Sequence, residues 1–185
     1  MKKIVLASQS PRRKMLLEWA EIKFEVRVKE TDEAYDENMS VEEVPVHIAL
    51  NKAKAIEHND DEIIIAADTV VVLDREIIGK PKDADDARNI LSKLSGKTHQ
   101  VITGVVIKDK QQLISFADIT AVSFHQLTQQ QIGFYVENYK PFDKAGAYAI
   151  QEWIGVVGIK SINGDFYNVM GLPVSRVVKA LEKFL

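Results

Sequence analysis

Ser8-Gln9-Ser10-Pro11-Arg12-Arg13 places two hydroxyls and two guanidiniums between a short apolar run and the start of a helix. Serine is a good N-cap at position 10, and proline suits the first helical position. The first-turn amides of such a helix lack partners, and its dipole is positive there. Two arginines in that turn oppose the dipole unless an anion compensates them. Ser8, Ser10, Arg12 and Arg13 together therefore suit a phosphate group. The competing reading is a capped helix whose arginines are merely solvated.

A second feature is Asp68, at the end of the wholly apolar run Ile63 to Ala67. Read as a strand-end carboxylate, it suits a general base or a metal ligand. The plainer alternative is a turn aspartate bonding its own backbone. Lys80 lies between Gly79 and Pro81, and Lys52 follows Ile48 by four positions, at the border of a helix's apolar side. Each could reach a phosphate, or simply be solvated. As a set, these cations and this carboxylate suit release of pyrophosphate from a nucleotide. Cations neutralise the leaving group, a divalent metal bridges phosphate oxygens, and a carboxylate orients or deprotonates water. Residues 30–43 carry Glu30, Asp32, Glu33, Asp36, Glu37, Glu42 and Glu43 without a lysine or arginine. Such a run reads as a solvated loop. A cationic site that must recruit a divalent cation makes Glu33 a candidate metal ligand.

The elements that must hold these residues follow from pattern. Lys3 to Ala7 reads as a buried strand, and Met15, Leu16, Trp19 and Ala20 as the apolar face of the helix opened by Ser10. Phe24, Val26 and Val28 alternate as a strand. Ser40 and Glu43 form a capping-box pattern ahead of a helix carrying Val44, Ile48, Ala53 and Ile56, with Pro45 in its first turn. Val70 to Leu73 and Ile77-Ile78 flank a hairpin turn. Asp83 caps a helix ended by Gly96, and Thr128 with Gln131 caps another reaching Tyr139. Long strands are expected near 100–108 and 113–125. Val156 to Ile162 and Phe166 to Met170 read as a hairpin around Asn163-Gly164-Asp165, before a terminal helix starting near Val174. Hairpins and helical crossovers together predict an α/β protein: a mixed twisted β-sheet with helices packed on it.

With 185 residues, 46% hydrophobic and 28% charged, the chain suits one domain, or one with two lobes. The lack of cysteine excludes disulfides, thiolate catalysis and cysteine zinc sites, and is compatible with a reducing compartment. The apolar run after Lys2-Lys3 is too short for a signal peptide, and no stretch reaches membrane-span length. A net charge of −3 and no basic stripe argue against nucleic acid or anionic lipid as partners. The expectation is a cytoplasmic protein without nucleic-acid or membrane partners.

The chain resembles the Maf family of nucleoside triphosphate pyrophosphatases, relatives of the inosine triphosphatase fold. The likeness runs in order through Ala7-Ser8-Gln9-Ser10-Pro11-Arg12-Arg13, Asn51-Lys52-Ala53-Lys54-Ala55, Ala67-Asp68-Thr69, Gly79-Lys80-Pro81, Leu94-Ser95-Gly96 with His99, Asp143-Lys144-Ala145-Gly146-Ala147-Tyr148, Ile150-Gln151 and Val169-Met170-Gly171-Leu172-Pro173. The first and sixth of these are highly specific. The resemblance implies a single Maf-like domain over 1–185, with an elongated, two-lobed inosine-triphosphatase-like fold and a central cleft. It implies cleavage of a nucleoside triphosphate between the α- and β-phosphates, with a divalent cation (Mg²⁺ or Mn²⁺).

By the same resemblance, Asp68 is the proton acceptor, and Arg12, Thr69 and Gln151 govern substrate choice. Ser8, Ser10, Arg13, Lys52 and Lys80 remain the phosphate-binding candidates. Ile150-Gln151 looks like the branch acting on dTTP and UTP. A glutamine amide offers the donor and acceptor that complement the O4 and N3–H edge of uracil or thymine. Many members follow that glutamine with glycine, whereas this chain has Glu152-Trp153. A carboxylate among several cations makes a better metal ligand than base, so Asp68 acts as base, ligand or holder of a metal-bound water. A homodimer is compatible with the chain. Two other readings stand: the sister branch acting on 7-methyl-GTP, and a septum-associated regulatory binding protein without catalysis, for which residues 30–43 would be a docking surface.

Overall fold

The computed structural model describes residues 2–184. Its strands are β1 (Lys3–Leu6), β2 (Phe24–Val26), β3 (Glu62–Leu73), β4 (Glu76–Ile78), β5 (Thr98–Lys108), β6 (Leu113–Phe124) and β7 (Ile159–Asn163). Its helices are α1 (Pro11–Trp19), α2 (Glu43–Ala55), α3 (Ala84–Leu94), α4 (Gln129–Tyr139), α5 (Trp153–Gly158), α6 (Phe166–Met170) and α7 (Val174–Leu181), with a 3₁₀ turn at Ala145–Ala147. The strands form one sheet in the order β2-β1-β3-β5-β6-β7, with β4 paired to β3. Pairing is parallel between β1 and β2 and between β1 and β3. It is antiparallel between β3 and β4 and between β6 and β7. This is the mixed sheet with helices that the sequence predicts.

The chain divides into two compact units. The first comprises Met1–Thr69, Thr103–Asp118 and Gly171–Leu185. Its core sets Ala49, Ala53 and Ile56 of the α2 segment against Val5, Ala7, Ile64, Ala66 and Val106 from β1, its following loop, β3 and β5. Small residues on both sides bring α2 close to the sheet. The approach is tightest at Gly104, where an added Cβ would lie 2.2 Å from the Val46 backbone nitrogen and 2.3 Å from the Pro45 carbonyl carbon.

The second unit comprises Val70–Ile102 and Ile119–Met170. Helices α3 and α4 pack together. The Thr128–Gln131 capping box at the head of α4 forms as read from the sequence. The β3–β4 turn is Asp74-Arg75, both at positive φ, the geometry that matches strand twist in a two-residue hairpin. A T-shaped trio of His99, Phe124 and Tyr148 fixes the 3₁₀ turn's exit, with His99 Nε2 2.7 Å from the Tyr148 hydroxyl. Burial holds His99 down at about 4, so the ring is neutral near neutral pH.

Three sequence expectations are corrected. The strand before Asp68 does not end there: β3 runs unbroken for 12 residues to Leu73. The extension is kept because Val71 to Leu73 pair with β4 and are buried. The inward face of α1 is Arg13, Leu16 and Leu17, whereas Trp19 is 61% exposed. Helical spacing puts Arg13 above Leu16 and Leu17, so burying the arginine turns Trp19 outward. Finally, Asn163-Gly164-Asp165 does not close a hairpin between 156–162 and 166–170. Asp165 Oδ1 accepts from the Tyr167 amide (2.7 Å) and starts α6, while Thr120 Oγ1 donates to the Asp165 carbonyl (2.9 Å). The β-branched run near Val156 is drawn into α5, a case of tertiary packing overriding local propensity.

Gly104→Ala is expected to destabilise by roughly 1–3 kcal/mol, since backbone cannot yield to the added methyl. Gly133→Ala, inside α4 with open space around the added Cβ, is expected to stabilise by roughly 0.5–1 kcal/mol. Chemical denaturation of both variants checks the pair.

Candidate active site

Ser10 caps α1 as expected, accepting from the Arg13 amide at 3.5 Å. The two arginines of the first turn then part company. Arg13 turns into the first unit and is buried, with its guanidinium nitrogens donating to three separate segments. Nε reaches the Gly171 carbonyl (2.8 Å), Nη1 the Ser8 hydroxyl (3.1 Å) and Nη2 the Thr69 hydroxyl (3.0 Å). Thr69 Oγ1 also lies 2.9 Å from Thr103 Oγ1. Ser8 Oγ accepts in addition from the Ser10 amide (3.2 Å). Burial lowers the Arg13 pKa. Asp68 opposes that shift, Arg12 adds to it and Glu33 opposes it, so these four charges share one neighbourhood. Arg12 is half-buried on the same turn.

Glu33, Lys52 and Asp68 meet. Lys52, on α2, sets its Nζ 2.7 Å from Asp68 Oδ1 and 2.7 Å from Glu33 Oε1. The lysine and aspartate side chains are 19% and 15% exposed, while Glu33 is half exposed. Asp68 and Thr69 are the two residues of β3 that are not buried. The interruption read from the sequence is therefore one of burial and polarity, not of backbone. Most of the acidic segment is exposed, and Asp32 and Asp36 cap their own turns through the Ala34 and Asn38 amides. Glu33 is the member that reaches the cluster.

Lys80 and Gln151 belong to the second unit, and both are exposed. The Gly79 carbonyl accepts from the Gly146 amide (3.1 Å), which ties the Lys80 loop to the 3₁₀ turn. Gly146 takes a positive φ, and a Cβ there would meet Val71 Cγ2 at 2.8 Å. Gln151 follows that segment in a tight turn, with the Glu152 amide donating to the Ala149 carbonyl (3.1 Å).

The first unit thus gathers Ser8, Ser10, Arg12, Arg13, Glu33, Lys52, Asp68 and Thr69. The positive end of a helix dipole and cationic side chains suit phosphate. Two carboxylate oxygens directed at one cation suit a hard divalent ion. No group of three or more His, Cys, Asp or Glu able to hold a metal occurs among the described residues. A cation held by two carboxylates would complete its shell with phosphate oxygens and water, as Mg²⁺ commonly does. Sequence reasoning did not single out Thr103 or the Gly171 carbonyl. Val169-Met170-Gly171-Leu172-Pro173 was a visible pattern, but a backbone acceptor leaves no side-chain signature.

Comparisons agree along the length of the chain. Residues 3–184 match the model of the Maf-like protein family. A dTTP/UTP pyrophosphatase from Cytophaga hutchinsonii is 52% identical over 97% of this chain and 83% of its own length. Proteins of the same name from Phocaeicola vulgatus (50%, covering 98% and 95%) and Bacillus cereus (46%, covering 100% and 96%) are similar. Among solved structures, the Ham1 protein of Staphylococcus aureus superposes with a TM-score of 0.52 at 17% identity over all of both chains. A HAM1 protein from Coxiella burnetii gives 0.50 at 14%, covering 99% of this chain and 100% of its own. These two show a shared fold.

Arg13→Met is expected to lower stability by at least roughly 2 kcal/mol, because it leaves buried acceptors without donors. Arg12→Ala is expected to change stability little, since the dipole already disfavours a cation there, while reducing kcat/KM for triphosphates strongly. Melting curves and kinetics on both variants separate the roles.

Proposed function

The chain belongs to the Maf family, and on that premise we propose that it is a pyrophosphatase hydrolysing dTTP and UTP to the monophosphate and pyrophosphate. The observation that carries the reading is Lys52 pairing at once with Asp68 and Glu33, in the charge neighbourhood of Arg12 and Arg13. The names of the relatives supply the substrates. One Maf-like domain over the whole chain is the working unit. No described helix is long and apolar enough to cross a membrane. A cytoplasmic location fits nucleotide substrates and a chain without cysteine.

Asp68 and Glu33 would hold the divalent cation, Mg²⁺ or Mn²⁺, for their oxygens already converge on one positive group. When bound, the cation neutralises charge on the phosphate oxygens. Asp68 orients or deprotonates the attacking water. The partly buried setting of Lys52 and Asp68 strengthens the interaction between their charges. Lys52 neutralises the two carboxylates in the absence of that cation, and once displaced by it would turn its ammonium to a phosphate oxygen. Arg12, at the positive end of α1, receives phosphate oxygens, so negative charge developing on the leaving pyrophosphate meets a fixed cation. Arg13 holds Ser8 and Thr69 in place and adds its charge at short range. Lys80 contributes a further cation for the phosphates, and Gln151 reads the pyrimidine edge through its amide.

The direct test is pyrophosphate release from a panel of canonical and modified nucleotides, 7-methyl-GTP included, with Mg²⁺ or Mn²⁺. Turnover highest on dTTP and UTP is expected; no release from any nucleotide returns the chain to a binding role. Asp68→Asn is expected to abolish turnover in a folded protein, and Glu33→Gln to raise the metal concentration needed for half-maximal rate. Near-wild-type kinetics in either variant removes that residue from the site. Gln151→Ala is expected to lower kcat/KM on dTTP and UTP and to narrow their advantage over CTP and GTP. Buried recognition penalises a wrong base by roughly 1–3 kcal/mol per unpaired group. An equal loss on all four nucleotides refutes base reading.

A further inference from the structure

Gln151 is the exposed apex of a four-residue turn, Ala149 to Glu152, whose other central residue, Ile150, is buried. The turn is closed by the Glu152 amide on the Ala149 carbonyl at 3.1 Å. A single buried hydroxyl grips both ends of it. Tyr135 Oη, on α4, accepts from the Ala149 amide (3.1 Å) and donates to Glu152 Oε2. Tyr135 itself is fully buried and stacked on Tyr139, with ring centroids 5.0 Å apart. The other oxygen of Glu152 lies 3.6 Å from Lys144 Nζ, which is paired with Asp143 at 2.7 Å. The back of the turn rests against Gly155, where an added Cβ would fall 1.6 Å from the Ile150 carbonyl oxygen.

We propose that Tyr135 and Glu152 are positioning residues for base recognition: together they lock the turn that presents Gln151. The proposal rests on the reading of Gln151 as the base-contacting residue. The physical argument is one of entropy and alignment. An exposed amide on a free turn samples many orientations and must be ordered when substrate binds. Here the turn's backbone is ordered beforehand by the two hydrogen bonds of the Tyr135 hydroxyl, neither of which need touch the substrate. Because the phenol is a donor to the carboxylate and an acceptor from the amide at once, removing its oxygen releases both ends together.

The test compares Tyr135→Phe, Glu152→Ala, Glu152→Gln and Gln151→Ala with the parent enzyme, by kcat/KM on UTP, dTTP, CTP and GTP and by exchange of the Glu152 amide proton. Tyr135→Phe keeps the ring and its stacking. It is expected to lower kcat/KM on UTP and dTTP about tenfold, through KM, as loss of one aligned contact does. CTP and GTP should change much less, and the Glu152 amide should exchange faster. Glu152→Ala, which removes the acceptor of the phenol at a partly exposed position, should do the same. Glu152→Gln retains an oxygen for the phenol to donate to, and should keep the parent's selectivity. If Gln151→Ala narrows selectivity while Tyr135→Phe and Glu152→Ala leave it unchanged, the clamp is refuted and the base reading stands. If Glu152→Gln loses as much as Glu152→Ala, the hydrogen bond is not the agent and the clamp is refuted. If Gln151→Ala itself leaves selectivity intact, the base reading falls and the clamp's role in recognition falls with it.

Discussion

The first unit depends on one buried guanidinium. Arg13 donates to a carbonyl near the C-terminal helix, to a hydroxyl after β1 and to a hydroxyl in β3. A planar fork with several fixed donors can satisfy three acceptors from different directions; a lysine ammonium cannot do so with the same geometry. Desolvating it is unfavourable, and the nearby carboxylates of Asp68 and Glu33 offset part of that. Structure and site are thereby coupled: the charges proposed to serve chemistry also make the buried arginine tolerable.

The same coupling explains the balance of signs. Arg12, Arg13 and Lys52 stand with Asp68 and Glu33, so the cluster is close to neutral rather than strongly cationic. A triphosphate with its cation adds both signs at once, and such a site can accept the pair without leaving a large uncompensated charge in a half-buried place.

Much of this was legible in the sequence. Ser10-Pro11 announces α1, Asp83 and Thr128 announce α3 and α4, and the mixed sheet follows from hairpins interleaved with crossovers. Ser8, Lys52 and Asp68 could be singled out because polar types at the ends or borders of apolar runs are conspicuous. The division of labour between Arg12 and Arg13 was not legible, because neighbouring identical side chains differ only in which helix face the core claims. Nor was the Asn163-Gly164-Asp165 turn. Its residues suit a hairpin locally, and the bonds to Thr120 and Tyr167 that redirect it come from packing far along the chain. The pairing of Glu33 with Lys52 was not legible either, because Glu33 lies in a segment whose charge run reads as solvent-facing, which is true of most of its members.

The continuity of β3 has a bearing on how this chain can change in length. Asp68 and Thr69 are neighbours in a strand, so their side chains leave opposite faces of the sheet, one toward Lys52 and the other toward Arg13 and Thr103. A loop residue keeps its surroundings when a homologous chain gains or loses a neighbour. Asp68 instead inherits its heading from the ladder that pairs Lys3 to Leu6 with Glu62 to Ile65. Losing one residue between that ladder and Asp68 would reverse the heading of both side chains and exchange their faces. The heading of Asp68 and Thr69 is thus fixed by the count of residues from Ile65, whereas no ladder sets the length of the acidic segment before α2.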